Sequence, residues 1–326
     1  MYRKAREGAA FLDRDRGRLV VSGPDRASFL QGLLTNDIAA LAAGRGCYAA
    51  YLTPQGRMIA DLFVYELADL MLLTVPIGIK DSLLAKLDRL IFTEDVKLGD
   101  VTATFAQTAV VGPEAASISS LVLDGVSAET LSSLPEHGNL RARFEGQTAI
   151  VTRVTDTGEP GFDVFVERPS AEAFRSRLAG RGVAELDVAT AESLRIEAGV
   201  PRFGPDMDEE TIPLEAGIES RAISFTKGCY VGQEVIVRVL HRGHGRVARK
   251  LVGLILDDGP APAAGAIVRS GEREVGRITS GAISPALKKP IALAYIHRDF
   301  VAAGTVLAID GADALVVEPP FVERQA

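Results

Sequence analysis

From about residue 245 onward the chain breaks into six short β-rich runs, at 247–256, 266–270, 273–280, 291–298, 305–309 and 314–318, separated by Gly, Pro and Asp. Runs of this length at this spacing predict a small antiparallel barrel or sandwich. A domain boundary is placed near His241–Gly245. The residues before it mix helical and strand patterns without steady βαβ alternation, so they read as α+β and not as a doubly wound parallel sheet.

Within that first part, RLVVS (18–22) reads as a strand and the segment after Pro24-Asp25 as a helix, with Phe29, Leu30, Leu33 and Leu34 at helical spacing. A strand at 47–52, a turn at Thr53–Gly56 and the run MIADLFVYEL (58–67) follow, the last pairing with 69–75 as a hairpin. Residues 81–92 place five apolar residues on one helical face. From 100 to 155 short apolar runs alternate with Gly, Pro and Ser around a helix at 113–123. Strands at 148–155 and 162–167 precede a helix capped by Ser170 and another capped by Asp187, which stops at Gly199-Val200-Pro201. The expected division is a first lobe from 1–50 with 100–240, an inserted lobe at 51–99 and a barrel at 241–326.

The chain has 326 residues, enough for two or three domains, with 47% hydrophobic and 24% charged residues. A net charge of −7 gives no global attraction for phosphate backbones or anionic lipid. The longest apolar stretch, Leu70 to Ile79, contains Pro76 and Gly78 and falls far short of the ~20 residues of a spanning helix. The N-terminus lacks the apolar run of a secretory signal. Two cysteines, Cys47 and Cys229, make no disulfide framework and fit a reducing cytosol. The expectation is a cytoplasmic protein with no nucleic-acid or membrane partner and no metal site.

Several segments carry chemistry. GHGRVA (243–248) matches a loose dinucleotide pattern, but the strand-like RKLVGLIL after it leaves no helix for a pyrophosphate. His241, His244 and Cys229 make three borderline ligands without a fourth and read as polar residues of a basic loop. On a strand, Ile59, Asp61, Phe63 and Tyr65 share one face, and an acid there needs a partner or a cavity. Glu192 and Glu197 are five apart on the Asp187-capped helix and do not share a face. A carboxylate such as theirs is a natural partner for an amidine-like edge, accepting two parallel N–H bonds. FTKGCYVGQE (225–234) flanks Cys229 with Lys227, Gly228, Tyr230 and Gly232; the glycines leave the thiol uncrowded, and Lys227 favours thiolate. Cys47 reads as structural.

Taken together, VSGPDRASFLQGLLTNDI (21–38), YLTPQGRMIADLFVY (51–65), LRIEAGVPRFGPDMDEETIPLEAGI (194–218), KGCYVGQE (227–234) and GRITSGAISP (276–285) resemble the folate-binding YgfZ family, relatives of the glycine-cleavage T-protein, an aminomethyltransferase. The resemblance spans nearly the whole chain and is weakest from 100 to 150. It implies a T-protein-like fold, two α+β lobes and a C-terminal β-barrel around a central channel, with tetrahydrofolate as the bound cofactor. It implies Glu197 as the acid reading the pterin edge, Asp61 as the catalytic-site acid and Tyr65 as a ligand contact. Arg195, Lys227 and Tyr230 are carried over as neighbours of the ligand. The T-protein pattern has two adjacent acids where this chain has Ala60-Asp61, and it lacks the cysteine motif. Both departures favour the YgfZ branch, which implies a tetrahydrofolate-binding accessory factor in iron–sulfur cluster assembly or repair. Its partners would be the assembly proteins or their clients, and Cys229 its key residue. The alternative is an aminomethyltransferase moving a one-carbon unit from a lipoyl-bound aminomethyl group to tetrahydrofolate.

Overall fold

The structure, a computed structural model, describes residues 1–241 and 245–323. The loop at 242–244, with its part of the domain boundary, the GHGRVA pattern and the side chains of His241 and His244, lies outside the described residues.

Three sheets organise the chain, giving the α+β architecture with a closed barrel. The first has six strands in the order Ala184–Glu185, Ala10–Asp13, Phe105–Val111, Gly161–Glu167, Gln147–Val154, Asn139–Phe144. Helices Ala115–Val122 and Ala171–Ala179 bury Ala115, Val122, Phe174 and Leu178 against one of its faces, with Phe11, Val110, Phe144 and Phe162. The second has five, in the order Gly46–Leu52, Met58–Glu66, Leu70–Pro76, Arg16–Ser22, Lys97–Asp100. Helices Arg26–Leu33 and Lys80–Asp88 cover one face of this sheet through Phe29, Leu30, Leu83 and Leu87. Its other face meets the first sheet through Tyr65, Leu72 and Phe165.

The C-terminal runs close into a six-stranded antiparallel barrel, Arg249–Leu256, Lys289–His297, Arg273–Ser284, Ile267–Ser270, Val306–Ile309, Ala312–Val317, and so leave no exposed edge. Alternate residues such as Val252, Leu254, Ile278, Ala294 and Val316 fill its interior. Helix Val188–Glu197 ties the bodies together. Asp187 caps it, accepting from the Thr190 N–H at 2.7 Å. Leu194 packs on the first sheet and Ile196 on the barrel.

The grouping of strands differs from the sequence division. Residues 16–22, 26–33 and 46–52 belong with 58–100, because Arg16–Ser22 pairs with Leu70–Pro76 and Gly46–Leu52 with Met58–Glu66. Strand partners are chosen over long separations, and a local pattern does not encode them. Ile59 also leaves the face of Asp61. Tyr51 pairs with Ala60 and Leu52 with Met58, so Ile59 is the extra residue of a bulge and packs on the opposite, helix-covered face. The β-branched EVIVRV forms helix Gln233–His241, with Ile236, Val239 and Leu240 turned to one apolar cluster at helical spacing. Ser170 ends a 3-10 turn and makes no side-chain cap bond. Among the described residues no helix is long and apolar enough to cross a membrane.

Candidate functional site

A cavity of about 720 Å³ opens between the two sheets and helix Val188–Glu197. On the second sheet, Ala50 lies opposite Asp61 and Tyr48 opposite Phe63. The pleat therefore turns Tyr48, Asp61 and Phe63 to one side, and all three line the cavity. Asp61 is 4% exposed. Its Oδ2 accepts a hydrogen bond from the Tyr48 hydroxyl at 2.9 Å. Among the described residues its Oδ1 has no hydrogen-bond partner, and Arg16 Nη2 stands 4.0 Å away. A buried carboxylate oxygen left unpartnered costs free energy that a ligand donor recovers. Burial and the Asp61 charge hold the Tyr48 hydroxyl well above its ordinary pKa, so it stays a proton donor.

Around this acid the cavity is aromatic and cationic. The Tyr48 ring lies 5.1 Å and the His137 ring 5.2 Å from the Phe63 ring. The Arg16 guanidinium sits 5.0 Å from the Phe63 centroid and that of Arg221 5.5 Å from the Tyr48 centroid. Burial, then the Arg221 charge, push the His137 pKa down to about 4, so the imidazole is neutral at pH 7.

The helix contributes Val188, Ala191, Glu192 and Arg195 to the lining. Arg195 grips both oxygens of Glu192, reaches Asp206 at 2.6 Å and donates to the Val200 carbonyl at 2.7 Å and Ser280 Oγ at 2.8 Å. Glu192 is thus a fixed acceptor, held by a fork that uses two of its roughly four lone-pair sites. Arg202 Nη1 adds a second cation 3.3 Å from Glu192 Oε2.

Glu197 lies elsewhere. It is fully buried and outside the cavity lining. One oxygen accepts from the Tyr2 hydroxyl at 2.6 Å and from Arg6, the other from Ser284. Arg6 also pairs with Glu159 at 2.6 Å. This acid fastens the N-terminal helix Tyr2–Glu7 to the barrel, and burial together with its charge pushes the Tyr2 pKa up to about 12. Tyr65 is likewise fully buried, between the two sheets, and does not line the cavity.

The 227–232 segment is a third location. Lys227 Nζ donates to the carbonyls of Gln31, Leu34 and Asn36 at 2.6, 2.7 and 2.8 Å, closing the C-terminal end of helix Arg26–Leu33. Burial lowers its pKa to about 8. Tyr230 is buried beneath it, and Cys229 is exposed and free. Gly232 has φ +84°, and a Cβ there would meet the Thr53 carbonyl oxygen at 2.5 Å, so only glycine lets the segment lie against the 53–56 turn. Neither Lys227, Cys229 nor Tyr230 lines the cavity. Cys47 is buried, and burial pushes its pKa up to about 12.

The structure thus brings Asp61 and Arg195 together with residues the sequence reading had not singled out: Arg16, Tyr48, Glu136, His137 and Arg221. Pro135-Glu136-His137-Gly138 reads locally as a turn, and only its contact with a distant strand marks it out.

Comparison with known proteins gives the wider context. The family profile GCVT N-terminal domain matches residues 2–227, and that of the Glycine cleavage T-protein C-terminal barrel domain matches 249–323. An aminomethyltransferase of Rubrobacter xylanophilus is 34% identical over 310 residues, 95% of this chain and 82% of that one. One of Streptomyces avermitilis is 32% identical over 324 residues, 95% of this chain and 85% of that one. The crystal structure of the glycine cleavage system aminomethyltransferase T from Bartonella henselae superposes with a TM-score of 0.89 at 26% identity, covering 99% of this chain and 89% of that one. These near-full-length relatives overturn the iron–sulfur accessory role expected from the cysteine motif and favour the alternative, one-carbon transfer. With both its lobes and its barrel matched, the chain belongs to the glycine-cleavage T-protein family.

Proposed function

We propose that this protein is an aminomethyltransferase of the glycine-cleavage type, which moves a one-carbon unit from a lipoyl-bound aminomethyl group to tetrahydrofolate inside the cavity. The family uses tetrahydrofolate as its one-carbon acceptor. The observation that carries the reading is Asp61 Oδ1, a buried carboxylate oxygen without a partner among the described residues, at the wall of a cavity of ligand size.

The residues present suit a reduced folate. A pterin offers a flat face to the aromatic wall of Tyr48, Phe63 and Phe203 and a row of N–H donors to a fixed carboxylate. Glu192 is that carboxylate, in place of Glu197, whose oxygens are taken by Tyr2, Arg6 and Ser284. Arg195 positions Glu192. Bound tetrahydrofolate supplies the two amine nitrogens that take up the carbon. Asp61 faces the aminomethyl nitrogen and stabilises its positive charge, while Tyr48 keeps the Asp61 carboxylate oriented. Turnover with an aminomethyl-bearing lipoylated carrier protein tests the assignment; a folded, folate-bound sample that releases no ammonia removes it.

A finer placement, in the YgfZ branch of the family, is supported by K-G-C-Y-V-G-Q-E at 227–234 with its exposed Cys229. That placement carries no iron–sulfur role here. Two unpaired thiols also support a reducing, cytoplasmic setting.

A further inference from the structure

Five arginines line the cavity, and four of them face acids. Arg14 pairs with Asp156 at 2.7 Å and Asp163 at 2.9 Å, Arg195 with Glu192 and Asp206, and Arg202 with Glu192 at 3.3 Å. Arg16 donates to the Thr74 carbonyl at 2.9 Å and stands 4.0 Å from Asp61. Among the described residues the fifth, Arg221, has no carboxylate partner, and its guanidinium makes no hydrogen bond; it lies 5.5 Å from the centroid of the Tyr48 ring. Its backbone is nonetheless set. The Arg221 N–H donates to the Ile218 carbonyl at 3.1 Å, and one amide nitrogen, Asn36 Nδ2, donates to the carbonyls of both Arg221 and Tyr48 at 3.0 and 2.8 Å. The hydroxyl of that same tyrosine bonds to Asp61 at 2.9 Å. Tyr48 therefore separates an anion at its hydroxyl from an unmatched cation over its face. A guanidinium with its five N–H donors unused at a cavity wall suits a negative charge that arrives or develops there.

We propose that Arg221 is a catalytic residue of this cavity, holding the sulfur of the lipoyl arm as a thiolate while it departs from the one-carbon unit. This rests on the aminomethyltransferase reading. In that reaction the carbon–sulfur bond breaks with its electron pair going to sulfur, and the carbon–amine bond breaks with its pair going to nitrogen. Bonds from the carbon to two folate nitrogens form in their place. The two protons those nitrogens lose match the one the sulfur takes up and the one the amine takes up as it leaves as ammonia, so no oxidant or reductant is needed. Two charges have to be met on the way, positive at the amine and negative at the sulfur. Asp61 meets the first. An ordinary thiol ionises only above neutral pH, and an adjacent guanidinium lowers that threshold. Arg221 keeps its own proton throughout, so it stabilises the developing charge and leaves the sulfur's proton to come from elsewhere. Burial and then the Arg221 charge lower the His137 pKa, which fits a guanidinium whose charge acts inside the cavity.

The test uses the full chain and a lipoylated carrier protein in two forms, the dithiol and the disulfide, of which only the dithiol can ionise. Calorimetry of the wild type saturated with tetrahydrofolate, run in two buffers of different ionisation heat, is expected to show more protons released on binding the dithiol form than the disulfide form. Arg221→Gln is expected to lose that difference and to bind tetrahydrofolate and the disulfide carrier within about threefold of wild type, while kcat falls about 100-fold. A Gln variant with wild-type kcat, or equal proton release from the two carrier forms in the wild type, overturns the proposal and leaves the aminomethyltransferase reading standing. A Gln variant that loses tetrahydrofolate affinity assigns Arg221 to the carboxylates of the folate, and one that loses both carrier forms equally makes it a docking contact; either result overturns the thiolate role. A wild-type chain that binds folate and carrier without turnover removes the aminomethyltransferase reading, and the thiolate role with it.

Discussion

Glu192 and Glu197 leave one helix in different directions and end in different environments. The first stands in the cavity, gripped by Arg195; the second is sealed beneath the N-terminal helix, gripped by Arg6, Tyr2 and Ser284. Five residues on a helix of 3.6 per turn put them roughly 140° apart. Glu197→Ala leaves the Arg6–Glu159 pair buried without its second acid, so urea denaturation is expected to show a loss of about 3–5 kcal/mol. Glu192→Ala is expected to cost about 1 kcal/mol of stability and to weaken tetrahydrofolate binding at least about tenfold in a calorimetric titration. Equal folate affinity in the two variants contradicts this division.

Asp61→Asn keeps the size of the side chain and removes its charge. Since Oδ1 has no partner among the described residues, the fold loses little, and thermal unfolding is expected to stay within a few degrees of wild type. Turnover is expected to fall by about 100-fold or more, on the scale of a lost electrostatic group. Tyr48→Phe removes the single hydroxyl that orients Oδ2 and is expected to give a smaller loss, read as a lower kcat.

His137 makes stability depend on pH. Its folded pKa, about 4, lies below the ordinary 6.5, so between these values the unfolded chain binds more protons. Its contribution is therefore full above pH 6.5 and is lost as pH falls toward 4, by about 3 kcal/mol at most. Urea denaturation of wild type and His137→Asn at pH 7.5 and 5 checks this. The wild type is expected to lose more stability between the two pH values than the variant; equal losses refute the buried, neutral ring.

The two cysteines are expected to react at different rates. Cys229 is exposed, whereas burial holds the Cys47 thiol protonated far above neutral pH. A colorimetric thiol reagent at pH 8 should modify one thiol quickly and the second only on unfolding, and Cys229→Ser should abolish the fast phase. Two fast thiols contradict the packing of strand Gly46–Leu52.

The barrel was legible as a set of short apolar runs set off by Gly, Pro or Asp, although its closure joins distant runs, with Arg249–Leu256 paired to both Lys289–His297 and Ala312–Val317. The grouping of the two lobes was not, because Arg16–Ser22 finds its partner some fifty residues on, at Leu70–Pro76. Asp61 was legible as an acid in an apolar strand. The carboxylate of the helix was legible as a type and ambiguous as a position: the helical wheel separates Glu192 from Glu197 but does not say which side faces the cavity. His137 left no local signal, since its significance comes from packing on Phe63, a residue distant in sequence. Lys227 and Cys229 stand out in the sequence, yet the lysine serves a helix end and the thiol lies away from the cavity lining. A strong motif thus marked a built segment without locating it relative to the ligand.

Ammonia release from an aminomethyl-bearing lipoylated carrier in the presence of tetrahydrofolate tests the account most directly. One ammonia per carbon transferred, lost on Asp61→Asn and kept on Glu197→Gln in a sample confirmed as folded, is the predicted result. No ammonia from wild-type protein that calorimetry shows to be saturated with tetrahydrofolate would contradict it.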